Sequence, residues 1–126
     1  MDLQKYFETT KGIGILSTAD NAGKVDSAVY AKPHIFEDGT FAFVMPDRLT
    51  HHNLQSNPHA AYLFVETGSL TEGQRFFLRK VSDEKNPERL KTIRCSYLCN
   101  EQKEADGKDR FLVVFRVEKQ LPLIGS

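Results

Sequence analysis

About six short apolar or alternating runs lie within 126 residues, and turn-forming residues close each one. The runs are Ile13–Thr18, Val25–Lys32, Phe41–Met45, Ala60–Thr67, Gln74–Val81 and Phe111–Val117. The early gaps are too short for helical crossovers, so neighbouring runs pair as hairpins and the sheet is mostly antiparallel. Asp20-Asn21-Ala22-Gly23-Lys24 reads as one turn. Asp38-Gly39 is a strong hairpin signal between His34–Phe36, which can extend the sheet, and Phe41. Six strands with little helix predict a barrel, which leaves no open edge. The Phe41–Met45 run has no polar member, which predicts cover on both faces or a subunit contact.

Helical segments are short. Asp2 can cap a helix to about Thr10, with Gly12 ending it. Thr50 can cap a second helix to about Ser56, stopped by Asn57-Pro58. Asn86-Pro87 starts a third, with Pro at the first helical position, running to about Leu98. Asn100–Asp109 is polar and reads as a loop. The whole chain, 1–126, reads as one domain.

Charge excludes some classes. Lys+Arg and Asp+Glu both number 17, so no basic surplus exists for a nucleic-acid backbone. No run approaches the roughly 20 apolar residues of a membrane span. The N-terminal MDLQKYFETTKG lacks the apolar stretch of a signal peptide, which predicts a cytoplasmic protein. In that compartment Cys95 and Cys99 are expected as free thiols, since a helical i,i+4 pair is poorly placed for a disulfide. His34, His51, His52 and His59 match no familiar zinc spacing, so no metal is expected. Gly-rich dinucleotide loops, P-loops and nucleophile elbows are absent from the sequence.

Two places can carry chemistry. Arg48 offers a permanent cation, Thr50 a hydroxyl, and the helix start free N–H groups, a set that suits a phosphate. A surface Arg beside an ordinary N-cap has the same sequence. Backbone groups near Tyr30 and Ala31, and at the Val44-Met45 strand end, can hydrogen-bond a flat heterocycle, with Lys32 placing charge beside it. A core Tyr30 and a solvated Lys32 fit equally well.

In order along the chain, these pieces resemble the pyridoxamine 5′-phosphate oxidase-like family of FMN-binding split barrels. The carriers are the opening helix with Gly-Ile-Gly-Ile-Leu-Ser-Thr, the Asn21–Lys24 turn, the strand ending Tyr30-Ala31-Lys32-Pro33, and above all Phe41 to Tyr62. That last block holds an apolar strand, a basic-plus-Thr loop, Asn53-Leu54, and Asn57-Pro58-His59-Ala60-Ala61-Tyr62. The length and closing apolar tail are similar to those of the family's small FMN-binding proteins. The resemblance implies a six-stranded antiparallel split β-barrel with short peripheral helices, and a homodimer holding FMN in two clefts. It implies that Arg48 and Thr50 hold the phosphate, with Asn53 supporting that loop. Tyr30, Ala31, Lys32, Val44 and Met45 would line the ring. Many members carry Lys before the Thr; here that residue is Leu49, and Arg48 supplies the charge from one position earlier. The chain is shorter than the true oxidases, so their activity is not expected. The implied role is a small flavin redox protein of unknown partner; a flavin carrier, or a dimeric module without cofactor, is the alternative.

Overall fold

A computed structural model describes residues 1–93 and 109–125. Its strands are β1 Gly12–Ala19, β2 Val25–Val29, β3 His34–Ile35, β4 Phe41–Pro46, β5 His59–Glu66, β6 Gly73–Lys85 and β7 Arg110–Pro122. Two helices, α1 Leu3–Thr9 and α2 Leu49–Ser56, accompany them, with a 3-10 helix over Glu88–Thr92. The strands form one sheet in the order β2-β1-β5-β6-β7-β4-β3, every pair antiparallel.

The mainly β, antiparallel reading stands, but the count and the closure need correction. Among the described residues there are seven strands, and no ladder joins the edge strands β2 and β3. The extra strand arises because His34–Ile35 pairs with Ala42–Phe41 across a turn in which Gly39 has φ 88°. Meanwhile β2 stops at Val29, short of the expected Lys32. Beyond it the carbonyls of Tyr30 and Ala31 accept from the Tyr62 hydroxyl, 3.2 Å each, instead of from a strand. Pro33 then has no N–H to give.

The open sheet is nonetheless curled. Tyr30, just past β2, packs edge-on against Phe43 of β4 with ring centroids 6.0 Å apart, although β2 and β4 stand far apart in strand order. Phe43 also meets Tyr62 of β5 at 5.1 Å. Helix α2 packs against β1, β2 and β4. Helix α1 contributes Phe7, buried edge-on against Phe41, Tyr62 and Phe64. Burying one such ring stabilises the fold by about 1.5–3 kcal/mol. α1 ends at Thr10 in extended backbone, so Gly12 opens β1 rather than ending the helix.

β4 has two cores, which explains its composition. Phe41, Phe43 and Met45 enter the aromatic core, while Ala42 joins Leu112 and Val114 on the other face, under Phe36, Val44, Leu90 and Ile93. The expectation of cover on both faces is met within one chain; that strand is not left over for a subunit contact. β6 and β7 run 13 residues each, longer than their apolar cores suggest. Register shifts at Phe77/Leu78 and Lys80/Ser82 let the ladder continue through the polar stretch Ser82–Lys85, opposite Phe111–Val114. Pro87 precedes the 3-10 helix instead of opening an α-helix. The expected continuation to Leu98, the Cys95/Cys99 pair and the loop up to Asp109 lie outside the described residues. Among those described, no helix is long and apolar enough to cross a membrane.

Candidate anion site at the start of helix α2

The chain leaves β4 at Pro46, turns through Asp47, and enters α2 at Leu49. Arg48, not Thr50, occupies the N-cap, in extended backbone and with no side-chain capping bond. Thr50 therefore lies inside the first turn. The cause is local: the Arg48 carbonyl already accepts from His52 N at 2.9 Å, so helical bonding begins two residues earlier than a Thr cap would place it. The first turn carries no acidic residue. Among the described residues, no protein group accepts from the N–H of Leu49, Thr50 or His51. Those three donors, at the positive end of the helix, form an unfilled anion cradle. Arg48, the N-cap residue itself, is exposed and has no ion-pair partner among the described residues.

Two buried polar side chains back the cradle. Asn53, 3% exposed, shares a 3.1 Å hydrogen bond with Thr18 Oγ1, an inward residue of β1. The other arm of the Asn53 amide, its oxygen, is an acceptor with no partner among the described residues. Thr50, 5% exposed, donates only a long 3.5 Å bond to Asp26 Oδ2 of β2. Asp26 is thus a carboxylate at the edge of a site otherwise suited to an anion.

The remaining expected residues are distributed as follows. Tyr30 and Ala31 sit together, their carbonyls held by Tyr62. Burial pushes the Tyr62 phenol well above its ordinary range, so it remains a neutral donor. The Tyr30 N–H is used on Gly14 O at 2.9 Å. Lys32 turns toward α1, its ammonium donating to the carbonyls of Phe7 at 2.6 Å and Thr10 at 3.0 Å. Val44 and Met45 point to opposite faces of β4; the Met45 side chain is fully buried in the aromatic core. Arg48, Thr50 and Asn53 thus share one helix start, while Lys32 is engaged elsewhere.

Sequence reasoning missed the support behind this turn. His51 is buried, with Nε2 2.7 Å from Asp83 Oδ2, and its ring stacks on Phe111 at 3.7 Å and 20°. Gln55 donates to Asp83 Oδ2 at 2.8 Å and to the His51 carbonyl at 3.0 Å. Thr18 was more visible, as a polar residue at an inward position of an alternating strand. No group of three potential metal ligands occurs among the described residues.

No protein-family model matches the chain, and no curated protein matches it by sequence. Solved structures do match. An FMN-binding protein from Syntrophomonas wolfei subsp. wolfei is similar with TM-score 0.73 and 19% identity, over 98% of this chain and 84% of that one. A candidate pyridoxamine 5′-phosphate oxidase from Lactobacillus delbrueckii gives TM-score 0.67 and 11% identity, over 96% and 92% of the two chains. HutZ, the heme storage protein from Vibrio cholerae, gives TM-score 0.67 and 15% identity, over 96% and 92%. With the curled open sheet and its two plugging helices, these likenesses establish that the chain has the pyridoxamine 5′-phosphate oxidase-like split-barrel fold.

Proposed function

We propose that this chain binds FMN, with the phosphate at the start of α2, and acts as a small homodimeric redox protein. The observation that carries the reading is the first turn of α2, which has no side-chain cap and in which, among the described residues, three N–H donors and Arg48 have no partner. Arg48 and Thr50 would hold the phosphate, with Asn53 supporting the loop from its bond to Thr18. Tyr30, Ala31, Lys32, Val44 and Met45 would lie along the ring, Met45 through its backbone because its side chain fills the core, and Lys32 likewise because its ammonium is bonded to the carbonyls of Phe7 and Thr10. A bound flavin supplies reversible one- or two-electron transfer; the chain's own groups bind it, orient it and limit water.

An apolar outer sheet face supports self-association. Val29, Ile15 and Leu63 lie in register across β2, β1 and β5, and Ile13, Val25, Val29 and Phe77 are exposed. Such a face on a small chain is a candidate contact for a second copy. Asp26 beside Thr50 favours the rival reading, a module without cofactor, because its charge opposes a phosphate.

The visible spectrum of the purified protein tests the proposal. A flavin spectrum, with FMN identified by mass after release, supports it. Colourless protein that takes up no added FMN contradicts it, as does a haem spectrum. Oxidation of NAD(P)H by the loaded protein would separate a redox enzyme from a flavin carrier.

A further inference from the structure

Among the described residues, two side chains anchor the first turn of α2, and one of them does nearly all of the anchoring. Leu49 is 55% exposed and His52 is exposed. Thr50 is buried but makes a single 3.5 Å contact. His51 is held three ways: its ring lies flat on Phe111 of β7, Nε2 meets Asp83 of β6, and Gln55 binds its carbonyl. Asp83 accepts from both His51 and Gln55, residues one turn apart on α2, so one carboxylate pins the helix to β6, while the Phe111 stack ties it to β7. Among the described residues, the other charged group within ion-pair distance of the ring is Asp47, whose Oδ1 is 4.0 Å from Nδ1.

We propose that the His51–Asp83 pair sets the preference of this site for a phosphorylated over an unphosphorylated flavin. The proposal rests on the phosphate site argued above. An anion gains from three N–H groups only if they stay fixed and convergent, since ordering them on binding costs entropy. The turn has no cap to hold it, so the pair behind it does the holding. Neither side chain needs to touch the ligand: the His51 N–H is one of the three donors, while its ring and Asp83 act by positioning the turn. The ring of a flavin bears on other strands, so a looser first turn weakens the phosphate grip and leaves the ring contacts in place.

The experiment is calorimetric titration of the full chain with FMN and with riboflavin. His51→Phe keeps a ring to stack on Phe111 and removes the hydrogen bond. Asp83→Ala removes the pin. Each is expected to weaken FMN about tenfold and to change riboflavin less than about twofold, the size of one lost charge-assisted hydrogen bond passed on in part. Gln55→Ala, at an exposed position where folding is safe, is expected to weaken FMN about twofold to threefold with riboflavin unchanged. Should the first two variants fail to fold, Gln55→Ala decides. A general loss of packing would weaken both ligands alike and overturn the proposal. Wild-type protein that prefers FMN, with all folded variants keeping that preference, overturns the pair's role and leaves the site standing. Wild-type protein that binds both ligands equally removes the phosphate site, and the pair's role with it.

Discussion

Gly14 and Tyr62 compete for one volume: a Cβ on residue 14 would overlap the Tyr62 hydroxyl, which donates to Tyr30 and Ala31 carbonyls at 3.2 Å each. Gly14 also accepts from Tyr30 N at 2.9 Å. The glycine is therefore what lets the chain leave β2 and pass over β5. Gly14→Ala is expected to lower stability by about 1–3 kcal/mol, the usual cost of overpacking. Urea unfolding measures it, and an unchanged midpoint would show that the Tyr62 clasp is dispensable.

The ammonium of Lys32 closes the end of α1. That helix has no basic residue in its last turn, and Lys32 brings a cation to the carbonyls of Phe7 and Thr10. Lys32→Met is expected to destabilise the protein by about 1–2 kcal/mol, seen as a lower melting temperature. A melting curve identical to wild type would mean that the ammonium stands in solvent.

Asp26 works against any anion near Thr50. Replacing it by a neutral isostere removes a like charge at short range. Asp26→Asn is expected to tighten FMN binding roughly threefold to tenfold, and to leave riboflavin unchanged. Equal FMN affinity in wild type and variant would place the phosphate away from this carboxylate.

Self-association should follow the outer sheet face rather than β4. Light scattering is expected to give about twice the 14.3 kDa chain mass. Val29→Glu, on a residue 70% exposed in the single chain, is expected to yield monomer. A wild-type monomer with flavin bound would count against the dimer.

What could be read in advance followed from local chemistry. The Asp20–Lys24 turn was legible because Asp20 Oδ1 takes the N–H groups of Ala22 and Lys24 while Gly23 adopts φ 83°. The start of α2 was legible to within two residues. The apolar run of β4 announced its two covered faces. The polar half of β6 was not legible, because Asp83 gains its place opposite Val113 only after two register shifts. Its contact with His51 spans 32 residues of sequence, so no local pattern could reveal the pair. The edge at β2 was hidden for a similar reason: the Tyr62 hydroxyl, from a distant strand, takes carbonyls that a hairpin would have used.

In the proposed function, the first turn of α2, with Arg48, grips a flavin phosphate. The most direct measurement is the affinity of Arg48→Ala for FMN and for riboflavin against wild type. A charge-assisted hydrogen bond to phosphate contributes roughly 1.5–3 kcal/mol, so FMN binding is expected to weaken about tenfold to a hundredfold. Riboflavin, which has no phosphate, is expected to bind variant and wild type within about twofold of one another, as ligand-independent folding requires. FMN bound by Arg48→Ala as tightly as by wild type would contradict the account.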